Sequence, residues 1–257
     1  MSDTQPVSVS VSTDVEHLAN AAALHITDLV CSAQQTSPDG YARLVLTGGT
    51  AGIATLAALA ALDHAAAAQA ESFPARHIDF SRVHLFFGDE RHVDVTHPDS
   101  NEGQARQALL DKINVPEENI HGWGLGPDSD LDAAVARYQH TLERFAPRGC
   151  DVHLLGMGGE GHINSIFPGS PAARSEALCA AVLDSPKPPA QRGTLCFPAI
   201  NSSAHVVFLI AGADKAEAVQ HLVAGADRNL WPAAGARGRQ GTQVFLTADA
   251  AAGVHVQ

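Results

Sequence analysis

Short apolar runs alternate with longer helix-forming runs over most of this chain. Residues 7–12 alternate valine with serine and predict an edge strand, and residues 15 to about 35 predict a helix. Residues 43–46 predict a buried strand that runs into Thr47-Gly48-Gly49-Thr50, followed by an alanine- and leucine-rich helix over 53–68. Residues 83–87 predict the next strand, ending at Gly88-Asp89-Glu90-Arg91. Asp99 and Ser100 suit the N-cap of a helix from about 101 to 113, which Pro116 prevents from continuing. An amphipathic helix over 131–145 leads into Val152, Leu154 and Leu155, an apolar run that suits a buried parallel strand. Residues 185–192 read as a proline-rich loop, 194–200, 206–210 and 244–247 as strands, and 215 to about 223 as a helix. This alternation predicts the α/β class, a mainly parallel sheet covered by helices.

The 257 residues suffice for one domain with a substantial core, expected to span 1–257 without internal repeats or a linker. A formal charge of −12 argues against a nucleic-acid partner and requires that any anionic substrate be held by local cations. Residues 1–12 carry no basic segment followed by an apolar stretch, and the alanine-rich run 51–70 is broken by Asp63 and His64. A cytoplasmic protein with no membrane contact is therefore expected. Cys31, Cys150, Cys179 and Cys196 show neither C-x-x-C pairing nor metal-ligand spacing and read as reduced thiols.

The chemistry concentrates where strands end. Gly156, Gly158 and Gly161 match G-x-G-x-x-G, but a dinucleotide site needs a helix opening at the third glycine, and Pro168-Gly169 interrupt the chain soon afterwards. The same glycine turn instead presents His162 beyond a strand's carboxyl end, where α/β sheets bind substrates, and so makes it the candidate base. Thr47, Gly48, Gly49 and Thr50 lie between a strand and a helix, so their amides and hydroxyls can cradle a phosphate. They lack the Gly-Lys-Ser/Thr ending of a nucleotide loop, which favours a small phosphorylated molecule over ATP. Arg91 offers a fork for anionic oxygens, with Lys187, Arg192 and Lys215 as further cations near strand or loop ends. His92, Asp94 and His97 fit no recognised zinc spacing, and no Gly-x-Ser-x-Gly elbow occurs, so no metal or cofactor is expected and His162 must act on water or on the substrate.

Four blocks together give the chain a specific resemblance. They are Leu46-Thr-Gly-Gly-Thr50; Phe87-Gly-Asp-Glu-Arg91 with Ser100-Asn101; Leu155-Gly-Met-Gly-Gly-Glu-Gly-His162 with Ser165-Ile-Phe-Pro-Gly169; and Ser185-Pro-Lys-Pro-Pro189 with Arg192, Thr194 and Leu195. In their order and spacing the chain resembles the 6-phosphogluconolactonase family from about Arg43 to Thr247. The resemblance implies a Rossmann-like sheet with helices on both faces, a fold shared with sugar-phosphate deaminases and ribose-5-phosphate isomerases. Two positions depart from the family pattern: Glu160 stands where aspartate is usual, and Ala51 follows the first turn where proline is usual.

By this likeness the substrate is a phosphorylated sugar lactone, 6-phospho-D-glucono-1,5-lactone, hydrolysed to 6-phosphogluconate in the oxidative pentose phosphate pathway. No metal or cofactor takes part, and the enzyme is a monomer or homodimer. His162 would relay the proton, Glu160 and Asp89 would orient groups in the site, and Thr47 to Thr50, Arg91, Lys187, Arg192 and Lys215 form the pool of phosphate contacts. Deaminases of the same fold place a glutamate five residues after the histidine and read Asp-Glu-Tyr at the second block; here those positions hold Phe167 and Asp89-Glu90-Arg91. Sugar-phosphate sensors of this fold carry a DNA-binding segment ahead of the sheet, whereas few residues precede the first expected strand and the charge is acidic.

Overall fold

The computed structural model describes residues 7–69 and 76–254. Residues 1–6 and Ala70, on which part of the leader and membrane expectations rested, lie outside the described residues. Among the described residues, ten strands and six α-helices follow in chain order: β1 Val7–Ser12, α1 Val15–Thr36, β2 Ala42–Leu46, α2 Thr50–Gln69, β3 Val83–Phe87, β4 Asp89–Arg91, α3 Asn101–Ala108, β5 Ile120–His121, α4 Leu131–Phe145, β6 Val152–Leu155, β7 Cys179–Val182, β8 Arg192–Leu195, α5 Phe197–Asn201, β9 His205–Ile210, α6 Ala216–Ala224 and β10 Gly241–Thr247.

Seven strands form one sheet in the order β1-β10-β9-β6-β2-β3-β5, every neighbouring pair parallel. From β2 the chain builds outward through β3 to β5, then returns to β6 on the other side of β2 and continues to β9 and β10. The sense of winding thus reverses between β2 and β6, which opens a crevice beyond their carboxyl ends. Both faces of the sheet are covered, as alternate residues show. Val207, Leu209 and Phe245 join the core that holds Leu18, Ile26 and Val30 of α1, while Val206, Phe208, Ile210, Val244 and Leu246 join the one that holds Val219 and Leu222 of α6.

The charged cluster after β3, Asp89–Arg91, is itself a strand, paired antiparallel with β8 in a second, three-stranded sheet of order β4-β8-β7. Two expectations are corrected. The strand expected over 194–200 is β8 followed by α5, because Pro198 has no N–H for a ladder and suits the first turn of a helix. The alanine-rich run is more apolar than Asp63 and His64 suggested: Thr50–Ala68 has a mean hydropathy of 1.5, enough by length and composition to cross a membrane. In the fold it is a packed helix whose Ala51, Leu56, Leu59 and Ala60 enter the core, its outer face being largely alanine.

All four cysteines are free and buried, and burial pushes the Cys150 thiol up to about 12. His153 of β6 is fully buried against a cavity of about 350 Å³, and neither ring nitrogen has a partner. Burial lowers its pKa to about 3. A folded pKa below the unfolded value near 6.5 means that the unfolded chain takes up the proton first, so stability falls as pH drops from about 6.5 towards 3. His153→Leu is expected to raise the thermal midpoint and to narrow its difference between neutral and mildly acidic buffer, measured by unfolding scans of both proteins.

Candidate active site

The carboxyl ends of β2, β3 and β6 are neighbours, so the turns that follow them meet. Thr47, Gly48 and Gly49 after β2, Asp89 and Arg91 after β3, and Gly156, Met157, His162 and Asn164 after β6 line one cavity of about 150 Å³, with Asn101 of α3 and Arg192 of β8. Larger cavities exist, but this one lies at the switch point, where the three turns meet.

The first turn is built by close approach. Gly49 takes φ +79, and a Cβ on Gly48 would collide with the Asn101 carboxamide. Gly52 keeps the first turn of α2 clear of Thr47, which is why the helix begins at Thr50, ahead of its run of strong formers. Among the described residues, the amides of Gly48, Gly49 and Thr50 have no hydrogen-bond acceptor. The Thr47 hydroxyl is engaged beside these amides, since its Oγ1 accepts from the Gly156 amide at 3.1 Å.

On β4, adjacent carboxylates have different tasks. Glu90 is buried and caps α3: Oε1 accepts from the Arg91 and Asn101 amides at 2.8 Å each, and Oε2 accepts from the Glu102 amide at 2.8 Å and the Ser100 hydroxyl at 2.9 Å. Burial raises its pKa against these four bonds. Asp89 faces the cavity, accepting from Ser165 Oγ at 2.7 Å and Asn101 Nδ2 at 3.0 Å. Asn101 also accepts from Arg91 Nη1, which donates again to the Asp99 carbonyl at 3.0 Å. Arg91 is therefore held in place, and its Nε is buried without a partner.

His162 is set by the glycine turn. A Cβ on Gly158 would collide with its ring, and Gly161 adopts φ +76 directly before it. Phe167 stacks on the imidazole, centroids 4.6 Å apart and planes 25° apart. Nδ1 lies 3.1 Å from Glu160 Oε1 without the alignment of a hydrogen bond, so the contact is chiefly electrostatic. Nε2 is left as the nitrogen away from this contact, and His162 lines the cavity. No helix opens at Gly161, so the dinucleotide geometry is absent from this stretch.

The electrostatics run through a third residue. Lys187 reaches from the proline-rich loop to Glu160, with Nζ 3.0 Å from Oε1 and 3.2 Å from Oε2. Burial disfavours the Glu160 carboxylate, but its own amide, Lys187 and His162 outweigh this and lower its pKa to about 2. His162 is shifted downward, first by burial and then by Lys187, with Glu160 opposing. Lys187→Met is expected to move the acid limb of kcat/KM to higher pH, because the cation that disfavours imidazolium is gone; pH–rate profiles of both proteins check the direction.

The sequence-selected cations therefore separate. Arg91 and Arg192 line the cavity, whereas Lys187 is paired with Glu160 and Lys215 with Asp214 at 2.6 Å. Lys215 stays close to the glycine turn, since Gly159 packs against the Asp214 backbone. Arg192 is buried and spends Nε on the Pro189 carbonyl at 3.0 Å and Nη2 on that of Lys187 at 2.8 Å, so it braces the proline-rich loop as well as lining the cavity. Both ring nitrogens of His92 are engaged, by Gln191 and by Ser129, and no group of three metal-ligating side chains forms among the described residues. Asn101 and Asn164 carried no assigned role from sequence, because a lone asparagine has no signature until a fold brings it to a cavity wall.

An all-parallel sheet whose switch point gathers a histidine, a carboxylate and a glycine turn in one cavity is the setting of an α/β enzyme site. Residues 13–245 match the family model described as glucosamine-6-phosphate isomerases/6-phosphogluconolactonase. The chain is 42% identical over 254 residues to the 6-phosphogluconolactonase of Mycobacterium tuberculosis, covering 95% of this chain and 97% of the other. The crystal structure of 6-phosphogluconolactonase from Leishmania guyanensis superposes with a TM-score of 0.78 at 26% identity, covering 97% of this chain and 99% of that one. A monomeric glucosamine-6-phosphate deaminase shares the fold, with a TM-score of 0.77 at 22% identity over 96% of this chain and 98% of its own. The chain belongs to the 6-phosphogluconolactonase family.

Proposed function

We propose that this protein hydrolyses 6-phospho-D-glucono-1,5-lactone to 6-phospho-D-gluconate, the lactone-opening step of the oxidative pentose phosphate pathway. The observation that carries this reading is the stack of Phe167 on His162. The position at which a deaminase supplies a glutamate is filled here by an apolar ring that buttresses the imidazole and cannot exchange a proton. His162 is then left to work on water.

In this mechanism Nε2 of His162 takes a proton from water as its oxygen bonds to the lactone carbonyl carbon. The tetrahedral intermediate collapses by breaking the bond from that carbon to the ring oxygen, which receives the proton back from the imidazolium. Glu160, fixed by Lys187, stabilises the imidazolium in between, 3.1 Å from Nδ1. Asp89, held by Ser165 and Asn101, orients the cavity wall. Arg91 and the amides of Gly48, Gly49 and Thr50 are the assigned phosphate contacts, with Arg192 and Lys215 next in line. The same reading puts the enzyme in the cytoplasm, where charged sugar phosphates are retained.

Loss of freshly generated 6-phosphogluconolactone, corrected for spontaneous hydrolysis, tests the assignment. Catalysed loss of the lactone is expected, without ammonia release from glucosamine 6-phosphate. Ammonia production at a comparable rate would reverse the assignment.

A further inference from the structure

The chain doubles back immediately after His162. Ile163 and Ile166 form an antiparallel bridge, the Ile166 amide donates to the Ile163 carbonyl at 2.8 Å, and between them Asn164 takes φ +46. Among the described residues it is the sole non-glycine residue with positive φ. Asparagine tolerates this region better than most residues, which accounts for the backbone. The side chain needs a separate account. Asn164 is 9% exposed and lines the catalytic cavity, yet neither its Nδ2 nor its Oδ1 has a hydrogen-bond partner. Its neighbour Ser165 is fully engaged, its amide with Thr194 at 3.2 Å and its hydroxyl with Asp89 at 2.7 Å. Room for the carboxamide comes from Gly88, where a Cβ would collide with it. The Ile163–Ile166 turn and the room left at Gly88 thus hold a buried amide at the cavity wall with both of its polar ends unused.

Unused buried polar groups ask for an occupant. Phosphate and carboxylate oxygens only accept, and Arg91 and Arg192 already present cationic donors in this cavity. A carboxamide that offers a donor and an acceptor side by side matches an alcohol, which both accepts and donates. Rotation of the amide about χ2 is soft, so it can turn to meet a ligand without leaving its turn. We propose that Asn164 is a specificity-determining residue that recognises a sugar hydroxyl, the one on the carbon next to the reacting carbonyl, donating through Nδ2 and accepting through Oδ1. Its position two residues after His162 selects that hydroxyl, since it is the alcohol nearest the carbon on which His162 acts. The inference rests on the lactone assignment.

The test compares kcat/KM for 6-phosphogluconolactone and for its 2-deoxy analogue, each made fresh by oxidation of the corresponding sugar 6-phosphate. The parent, Asn164→Gly, which keeps the positive φ, and Asn164→Asp, which keeps the shape but loses the donor, are measured together with their thermal midpoints. The parent is expected to prefer the hydroxylated lactone by about 10- to 100-fold. Asn164→Gly should erase most of that preference by losing rate on the hydroxylated lactone alone, with its thermal midpoint little changed because no bond within the protein is broken. Asn164→Asp should also lose the preference. Equal losses on both lactones, an unchanged preference in the variants, no preference in the parent, or a lowered midpoint with intact kinetics would each overturn the role of Asn164. A parent that accelerates neither lactone would instead overturn the lactone assignment itself, so the two failures are distinguishable.

Discussion

Replacing His162 with alanine lowers kcat by roughly 10²- to 10⁴-fold while the protein stays folded. The expectation follows from what the ring does and does not hold in place. Nδ1 meets Glu160 at 3.1 Å without an aligned hydrogen bond, so removing the imidazole costs the fold chiefly that electrostatic contact. It does uncover Phe167, which loses a stacking partner at 4.6 Å, so a modest fall in thermal midpoint accompanies the loss of rate. The pH profile adds a sign. Burial and Lys187 lower the His162 pKa more than Glu160 raises it, so the imidazole stays neutral, and able to accept a proton, to a pH below its usual 6.5. The acid limb of kcat/KM therefore lies below that value. Glu160→Gln is expected to cost less than His162→Ala, because it alters the stabilisation of the imidazolium without removing the base. A folded His162→Ala enzyme with near-parental kcat would place the base elsewhere. Asp89 would then be the next candidate, since Glu90 is committed to capping α3.

Arg91→Ala weakens use of the phosphorylated lactone by about 1.5–3 kcal/mol in kcat/KM, on the order of a 10- to 150-fold loss, as expected for a charge-assisted contact. The guanidinium is oriented before any substrate arrives, by Asn101 and the Asp99 carbonyl, so little side-chain freedom remains to be lost on binding. A formal charge of −12 makes this local cation matter more, since the protein as a whole repels anions. Unphosphorylated gluconolactone should be a poor substrate for the parent and lose little further in the variant. Equal harm to both substrates would mean that Arg91 acts mainly by holding Asn101, and through it Asp89. Steady-state kinetics on the two lactones separates these outcomes.

Much of the frame was legible because it depends on neighbours in sequence. The helix over 131–145 coincides with α4, since its cap residue Asp130 and its apolar spacing are local signals. The edge strand over 7–12 and the strand before His162 follow from alternation and from an unbroken apolar run. The small sheet was not legible. Asp89–Arg91 is three residues long and charged, and it becomes a strand only because β8, a hundred residues later, supplies its ladder.

The site divides along the same line. The sequence by itself determined that His162 sits on a glycine turn after a buried strand and that Thr47 to Thr50 form a turn between a strand and a helix, because each is a matter of residue type and spacing along one stretch; that Phe167 stands where deaminases place a glutamate is what the resemblance added. Only the tertiary structure decided what the charges do. Lys187, one phosphate candidate among four by sequence, is spent on Glu160. Arg192 divides itself between the cavity and the carbonyls of the proline-rich loop. Glu90 and Asp89, adjacent and chemically alike, become a helix cap and a cavity wall. An ion pair or a hydrogen bond is a contact between side chains tens of residues apart, and its partner is fixed by how strands stack in the sheet, which no local pattern records.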